Sequence, residues 1–351
     1  MSKRKRYFSS YDSVHAWIAG ERPALSFAGK TTDDWRAWRR TFRSRLARLL
    51  GPMPEKVPLR AEVLKREDMG DHVREKVVYD SERYASVPAW VLTPKGLKKG
   101  DRRPGILAAH GHGLGKNPLV GLNMEEQPHE DYQHQLGVQL VRRGYVVIAP
   151  DWRGFGERKS PAAWVRQGRD PCNVNYMAEG YRGYHLLTLQ ICDAMRTLDY
   201  LQSRPEVDPD RLGCVGVSFG GTMTTFLSAL DGRIGCACIS GYVSTVRGDA
   251  LGMRGRANTC GAQYMPGLLT IGDIPDVAGL IAPRPLCVEM GEKDTCFVIE
   301  DVQKAYHHLA RIYRAAGAGD RIVPDRFPDD HQFSGRKSLD WFDRWLKSRE
   351  A

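Results

Sequence analysis

Long hydrophobic runs are missing from this 351-residue chain, and none approaches the roughly 18 apolar residues of a membrane-spanning helix. The basic start, MSKRKRYFSSYDS, has no apolar stretch behind it, so a secretory signal is not expected and a cytoplasmic, membrane-free protein is. Internal repeats are absent too. So is any C-x-x-C pair among the eight cysteines, which argues against a zinc ribbon or thioredoxin-type motif. Charge excess is nearly absent from most of the chain. Residues 1–60 hold 14 Lys/Arg against 5 Asp/Glu, whereas the remainder holds 38 against 37. A net charge of +10 therefore belongs to one terminal segment, which reads as a solvated tail and a charged helix face rather than a nucleic-acid footprint.

What is present is a rhythm. Residues 31–51 read as one amphipathic helix. Thr32, Asp33 and Asp34 offer N-cap chemistry, Trp35, Trp38, Phe42, Leu46 and Leu49 recur at helical spacing, and Gly51-Pro52 stops it. HVREKVVYDSE and VPAWVLTPKG follow as a strand pair. Then come GILAAHGH, YVVIAPD, RLGCVGVS, IGCACIS, RPLCVEMGE and RIVPDRF, short apolar runs separated by helix-length segments near 181–203, 298–316 and 338–347. Dense apolar strands alternating with helices predict an α/β sheet covered on both faces. The expected organisation is a basic helical extension over 1–69 and a main domain over 70–351. The irregular, glycine-rich segment at 241–274 is expected to form a lid or pocket wall. Cys192, Cys214, Cys236, Cys238 and Cys287 lie in apolar runs and read as small hydrophobes. Pairing among Cys172, Cys260 and Cys296 stays open.

The chemistry gathers around LGCVGVSFGGT. Ser218 stands between Gly216 and Gly220 where a buried strand gives way to a helix, the setting of a nucleophile elbow. A serine hydroxyl needs a base, and the base an orienting acid. Asp294 lies 76 residues on, just past a strand, and His331 lies 37 beyond that, before the last helix. Glu292 is the competing acid. His307 and His308 read as a helical surface or packing pair, and His185 as structural. An oxyanion requires two N–H donors, for which Phe219 and His112, in the His110-Gly111-His112-Gly113 loop, are the candidates. Without carboxylate or cysteine partners at ligand spacing, His110 and His112 are not read as metal ligands, and no metal or other cofactor is expected. Asp151 to Glu157 should fix the neighbouring turns, with Trp152, Phe155 and Tyr242 as candidate pocket residues.

HGHG, DWRGFGER, GVSFGG, Asp294 and His331, in that order, resemble the α/β-hydrolase superfamily over residues 70–351. Within it, the chain is similar to the dienelactone-hydrolase-like and acetyl-xylan-esterase-like bacterial hydrolases. The resemblance implies a mostly parallel eight-stranded sheet and ester hydrolysis through an acyl-enzyme. Dienelactone hydrolases carry cysteine where this chain has Ser218. Acetyl xylan esterases of this type often carry Glu after the histidine and Gln after the nucleophile, where Gln332 and Phe219 stand here. The expectation is a serine carboxylester hydrolase for a small uncharged ester, with homo-oligomer formation left open. A C–C bond hydrolase or peptidase on the same three residues is the alternative, and a non-catalytic binding protein of this fold a more distant one.

Overall fold

The apolar runs become the centre of a nine-stranded sheet in the computed structural model, which describes residues 6–161, 164, 169–250 and 260–347. The strands are β1 (Glu62–Asp68), β2 (His72–Glu82), β3 (Ala85–Pro94), β4 (Arg103–Ala109), β5 (Val146–Pro150), β6 (Val207–Val217), β7 (Ile234–Ser240), β8 (Leu286–Gly291) and β9 (Ile322–Phe327). Their order is β1-β2-β3-β5-β4-β6-β7-β8-β9. The first three run antiparallel to their neighbours, and β5 through β9 pair in parallel. The count is nine rather than the expected eight. The added strand, β1, is exposed along almost its whole length and reads EVLKRED, so no apolar alternation announced it. It also carries the sheet back to residue 62, ahead of the boundary expected at 70.

Alternate residues of the parallel strands feed two separate cores. Leu107, Ala109, Leu212 and Cys214 face one, while Ile106, Ala108, Val215 and Val217 face the other. Helices α1 (Ser10–Gly20), α2 (Thr32–Leu50), α3 (Leu136–Arg142), α4 (Pro171–Tyr181), α5 (Leu186–Ser203), α6 (Phe219–Leu230), α7 (Leu268–Ile271), α8 (Ile274–Gly279), α9 (Ile299–Ala315) and α10 (Ser338–Phe342) complete the fold. Residues of α2, α5, α6, α8 and α9 join the first core, and those of α3 and α10 the second. Continuous burial of β4, β5, β7 and β8 follows from this double cover.

The N-terminal segment is part of this packing. Thr31 and Asp34 form a reciprocal capping box at the start of α2, and Gly51 ends the helix with φ 75°. Trp35, Phe42, Leu46 and Leu50 are buried in the first core, and the Trp38 indole donates to the Leu25 carbonyl at 2.7 Å. Residues 1–5 of the expected extension lie outside the described residues, as do 251–259 of the 241–274 segment. On either side of the latter gap, Tyr242, Val243, Ala262, Met265 and Leu268 are buried. Asp273 caps α8 and also accepts from the Val246 and Arg247 amides at 2.8 and 3.1 Å.

Truncating Phe42, which is fully buried, should therefore act as a core deletion. Phe42→Ala should cost about 3–5 kcal/mol of unfolding free energy in a urea titration. Phe8→Ala, at a residue 91% exposed, should stay within about 0.5 kcal/mol. Equal effects would show that α2 is not part of the folding unit.

Candidate active site

The strand-to-helix turn after β6 is sharp. Ser218 adopts φ 60° and ψ −119°, a conformation that side-chain-bearing residues rarely occupy. Its amide donates to Ser240 O at 3.0 Å, and its carbonyl accepts from Thr222 N at 3.1 Å. Glycines are required on both sides. A Cβ at Gly220 would lie 2.0 Å from the Ala109 carbonyl oxygen, and one at Gly216 would lie 2.5 Å from the same atom. The helix N-terminus is thereby pressed against the end of β4. Free N–H groups there favour developing negative charge.

Asp294 follows β8 in a tight turn. Its Oδ1 accepts from the amides of Cys296 and Phe297 at 2.7 and 2.9 Å, and its Oδ2 lies 2.8 Å from His331 Nδ1. The carboxylate is thus fixed by its own loop before it meets the imidazole. With Nδ1 donating to Asp294, His331 Nε2 carries the lone pair. That nitrogen is buried and has no hydrogen-bond partner among the described residues. Rings of Tyr132 and Phe297 flank the imidazole, each with its centroid 5.9 Å away. Below it, buried Glu289 accepts from Ser334 N, Gly335 N and Ser338 Oγ, pinning the chain just after His331. Burial raises the Glu289 pKa, an effect these three donors oppose. Glu292, the competing acid, points to Arg326 at 2.6 Å.

The loop after β4 is held from several sides. His110 is fully buried. Its Nδ1 donates to Gly111 O at 2.7 Å, and its Nε2 accepts from Trp152 N at 3.1 Å, an arrangement that selects one neutral tautomer. Burial pushes its pKa down to about 4. The Gly111 amide is spent on Gln133 Oε1 at 2.8 Å, leaving the next amide, that of His112, as the loop's candidate donor. The Tyr132 hydroxyl donates to His112 O at 2.8 Å and also lies within hydrogen-bond reach of Ser218. Tyr132 and Gln133 were missed in the sequence reading, because the run DYQHQ has neither periodicity nor a motif to mark it.

All three candidate pocket residues belong to the first core; Trp152 is wholly buried, and its amide donates to His110 Nε2. Phe155 and Tyr242 are 6% and 7% exposed. The Phe155 ring stacks on Phe219 at 5.3 Å and meets His112 edge-on at 5.4 Å. Tyr242 packs against Phe297, and its Cβ approaches Gly221 closely. Asp151 fixes the turns around it, accepting from Lys116 N and Nζ at 2.7 Å and from Glu157 N at 3.0 Å. None of the eight cysteines forms a disulfide, so Cys172, Cys260 and Cys296 are not bridged to one another. Two groups nevertheless bring metal-ligating atoms within 4.8 Å of one another: Asp294, Cys296 and His331, and separately His112, Cys172 and Cys260. In the second group, a hydrogen bond from Cys172 and another from His112 lower the Cys260 pKa.

Known proteins share this architecture. The "Putative hydrolase YtaP" of Bacillus subtilis (strain 168) is 30% identical over 293 residues, which span 80% of this chain and 90% of that protein. A solved structure of a "putative acetyl xylan esterase" from Bacteroides fragilis NCTC 9343 superposes with a TM-score of 0.84 at 18% identity, covering 99% of this chain and 97% of that one. A glucuronoyl esterase from Solibacter usitatus gives a TM-score of 0.65 at 15% identity over 92% and 97% of the two chains. The Abhydrolase family model matches residues 2–321. This chain is an α/β-hydrolase and belongs to the Abhydrolase family.

Proposed function

We propose that the protein is a serine carboxylester hydrolase in which Ser218 is the nucleophile, His331 the general base and acid, and Asp294 its orienting partner. The observation that carries this reading is the fixed Asp294–His331 pair, whose buried Nε2 has no hydrogen-bond partner among the described residues, in a fold that also carries an elbow serine. Ser218 and His331 share Tyr132 as a neighbour, which supports their acting together. Ser218 Oγ attacks the ester carbonyl carbon while His331 Nε2 takes the hydroxyl proton. Asp294 stabilises the resulting imidazolium without itself taking a proton. The amides of His112 and Phe219 hold the oxyanion. Collapse expels the alcohol, which leaves with the proton from His331, and an acyl-serine remains. Water then repeats the attack, the acid is released and Ser218 recovers its proton. Every step draws on groups of this chain.

Names of the structural neighbours point to carbohydrate esters, acetyl xylan in one case and a glucuronoyl ester in the other. A short acyl group fits the aromatic crowding of Phe155, Phe219 and Tyr242. The nearly neutral body beyond residue 60 suits an uncharged ester better than a polyanion.

On nitrophenyl acetate and acetylated xylose, Ser218→Ala and Asp294→Asn should each lower kcat by about 10⁴-fold. Asp294→Asn should keep its fold, because the amide oxygen can still accept from Cys296 and Phe297. Unchanged turnover in Ser218→Ala would exclude the serine mechanism. A steep decline across acetate, butyrate and octanoate esters is expected, and a flat profile would reject the short-acyl assignment.

The loop also sets an acid limit. Free histidine titrates near 6.5, and His110 in the fold titrates at about 4. Between those values the unfolded chain binds a proton that the folded one refuses, so stability falls as pH drops through the window. The loss should reach about 2 kcal/mol between pH 7.5 and 5. His110→Gln should be less stable at neutral pH, yet its urea-unfolding free energy should fall by about 2 kcal/mol less over that interval. A variant as pH-steep as wild type would remove His110 as the cause.

A further inference from the structure

His112, Cys172 and Cys260 come from three distant parts of the chain: the loop after β4, the first turn of α4, and the stretch before α7. Spacing along the sequence argues against a metal site, since no cysteine stands near His112. Folding supplies two. One nitrogen and two sulfur ligand atoms lie within 4.8 Å of one another, with His112 Nε2 3.1 Å from Cys260 Sγ. The backbone enforces this approach. Gly261 N donates to Asn173 Oδ1 at 2.7 Å, and a Cβ at Gly261 would come within 2.6 Å of the Cys172 carbonyl. Around the cluster, Phe155 and Phe219 flank the imidazole, and the Cys260 thiol reaches Gln263 Oε1 at 3.8 Å.

We infer that His112, Cys172 and Cys260 form a site for a soft, tetrahedral divalent cation of the zinc type, held by two thiolates and one imidazole, with the fourth position open to water. Zinc bonds of about 2.3 Å to sulfur and about 2.0–2.1 Å to nitrogen place tetrahedral ligands about 3.6–3.8 Å apart. Those separations lie inside the observed span, and the His112–Cys260 pair, at 3.1 Å, has to open by about half an ångström. Two sulfurs and a nitrogen exclude calcium and magnesium, which take oxygen. Both sulfurs bind as thiolates and His112 through the Nε2 lone pair, so binding displaces the protons those ligand atoms carry. The cation would tie the loop carrying the His112 amide to α4 and to the chain before α7. This site uses side chains that the ester mechanism leaves idle, and stands independently of that mechanism.

Cobalt(II) is the probe, because thiolate ligation in a tetrahedral field gives it a charge-transfer band and intense visible absorption. Reduced, metal-free full-length protein should take up one equivalent with that spectrum and release protons as it binds. Zinc should displace the cobalt and raise Tm. Cys172→Ser and Cys260→Ser should each weaken binding by at least about 100-fold. Cys296→Ser should bind as wild type does, which separates this site from the Asp294–Cys296–His331 group. If a serine variant fails to fold, the wild type still decides. Zinc should protect Cys172 and Cys260, but not Cys296, from iodoacetamide as read by peptide mass spectrometry. Absence of the charge-transfer band, its loss in Cys296→Ser alone, or equal alkylation with and without zinc would overturn the site. So would a reduced protein that takes up no metal while its Cys172 and Cys260 thiols form a disulfide with hydrogen peroxide.

Discussion

The Ala109 carbonyl oxygen is the point against which the site is assembled. Gly216 and Gly220 both approach it more closely than any Cβ could. Contact there is backbone on backbone, and main-chain atoms cannot swing aside as a long side chain can. The distance between the serine turn and the loop that begins at His110 is therefore set by the absence of two methyl groups. Holding Ser218 at positive φ costs on the order of 1–3 kcal/mol. That strain is offset by α6, whose Met223, Phe226 and Leu227 are fully buried behind the turn. Local strain and global burial are two ends of one element.

Three acids near the carboxyl end of β8 show how surroundings divide labour among similar groups. Glu289, inside the strand, is sealed among hydrogen-bond donors from the loop that follows His331, and positions that loop. Glu292 lies at the surface on Arg326 and is spent there. Asp294, two residues beyond Glu292, has one oxygen held by backbone amides and the other meeting the imidazole. A shorter side chain helps here, because a carboxylate bound to its own turn has few rotamers left to lose. Gly291 allows the arrangement. A Cβ there would strike the Asp330 carbonyl at 2.3 Å, and the His331 loop could not close down on the strand.

Legibility in the sequence followed range of interaction. The parallel strands were readable because burial on both faces writes an unbroken apolar run, and α2 because its cap, stripe and stop are all local. Chain order and strand ends pointed to Asp294 and His331. The polar edge strand β1 was not readable, since its pairing with β2 comes from backbone groups that any sequence carries. Nor was α1, which buries none of its residues and so has no stripe to show. Tyr132 and Gln133 act on His112 and Gly111 across about twenty residues of irregular chain. Cys172 and Cys260 meet His112 only after α4 and the segment before α7 have packed together.

The basic N-terminal segment can be read in the same physical terms. Arg43 reaches across from α2 to the Leu230 carbonyl at 2.7 Å, satisfying a backbone acceptor at the C-terminal end of α6. In return, Arg247 of the main body donates to the Ile18 and Glu21 carbonyls where α1 ends. Arg39 lies over the Trp35 ring, 5.9 Å from its centroid, and burial lowers its pKa. Two guanidinium groups of α2 are thus engaged, one on a helix carbonyl and one along an aromatic face. Positive charge at a helix C-terminus is stabilising in itself. Arg43 and Arg247 thus fasten α2 and α1 to the α/β body through carbonyl groups at helix C-termini, while Arg36, Arg40, Arg45 and Arg48 carry exposed charge along α2.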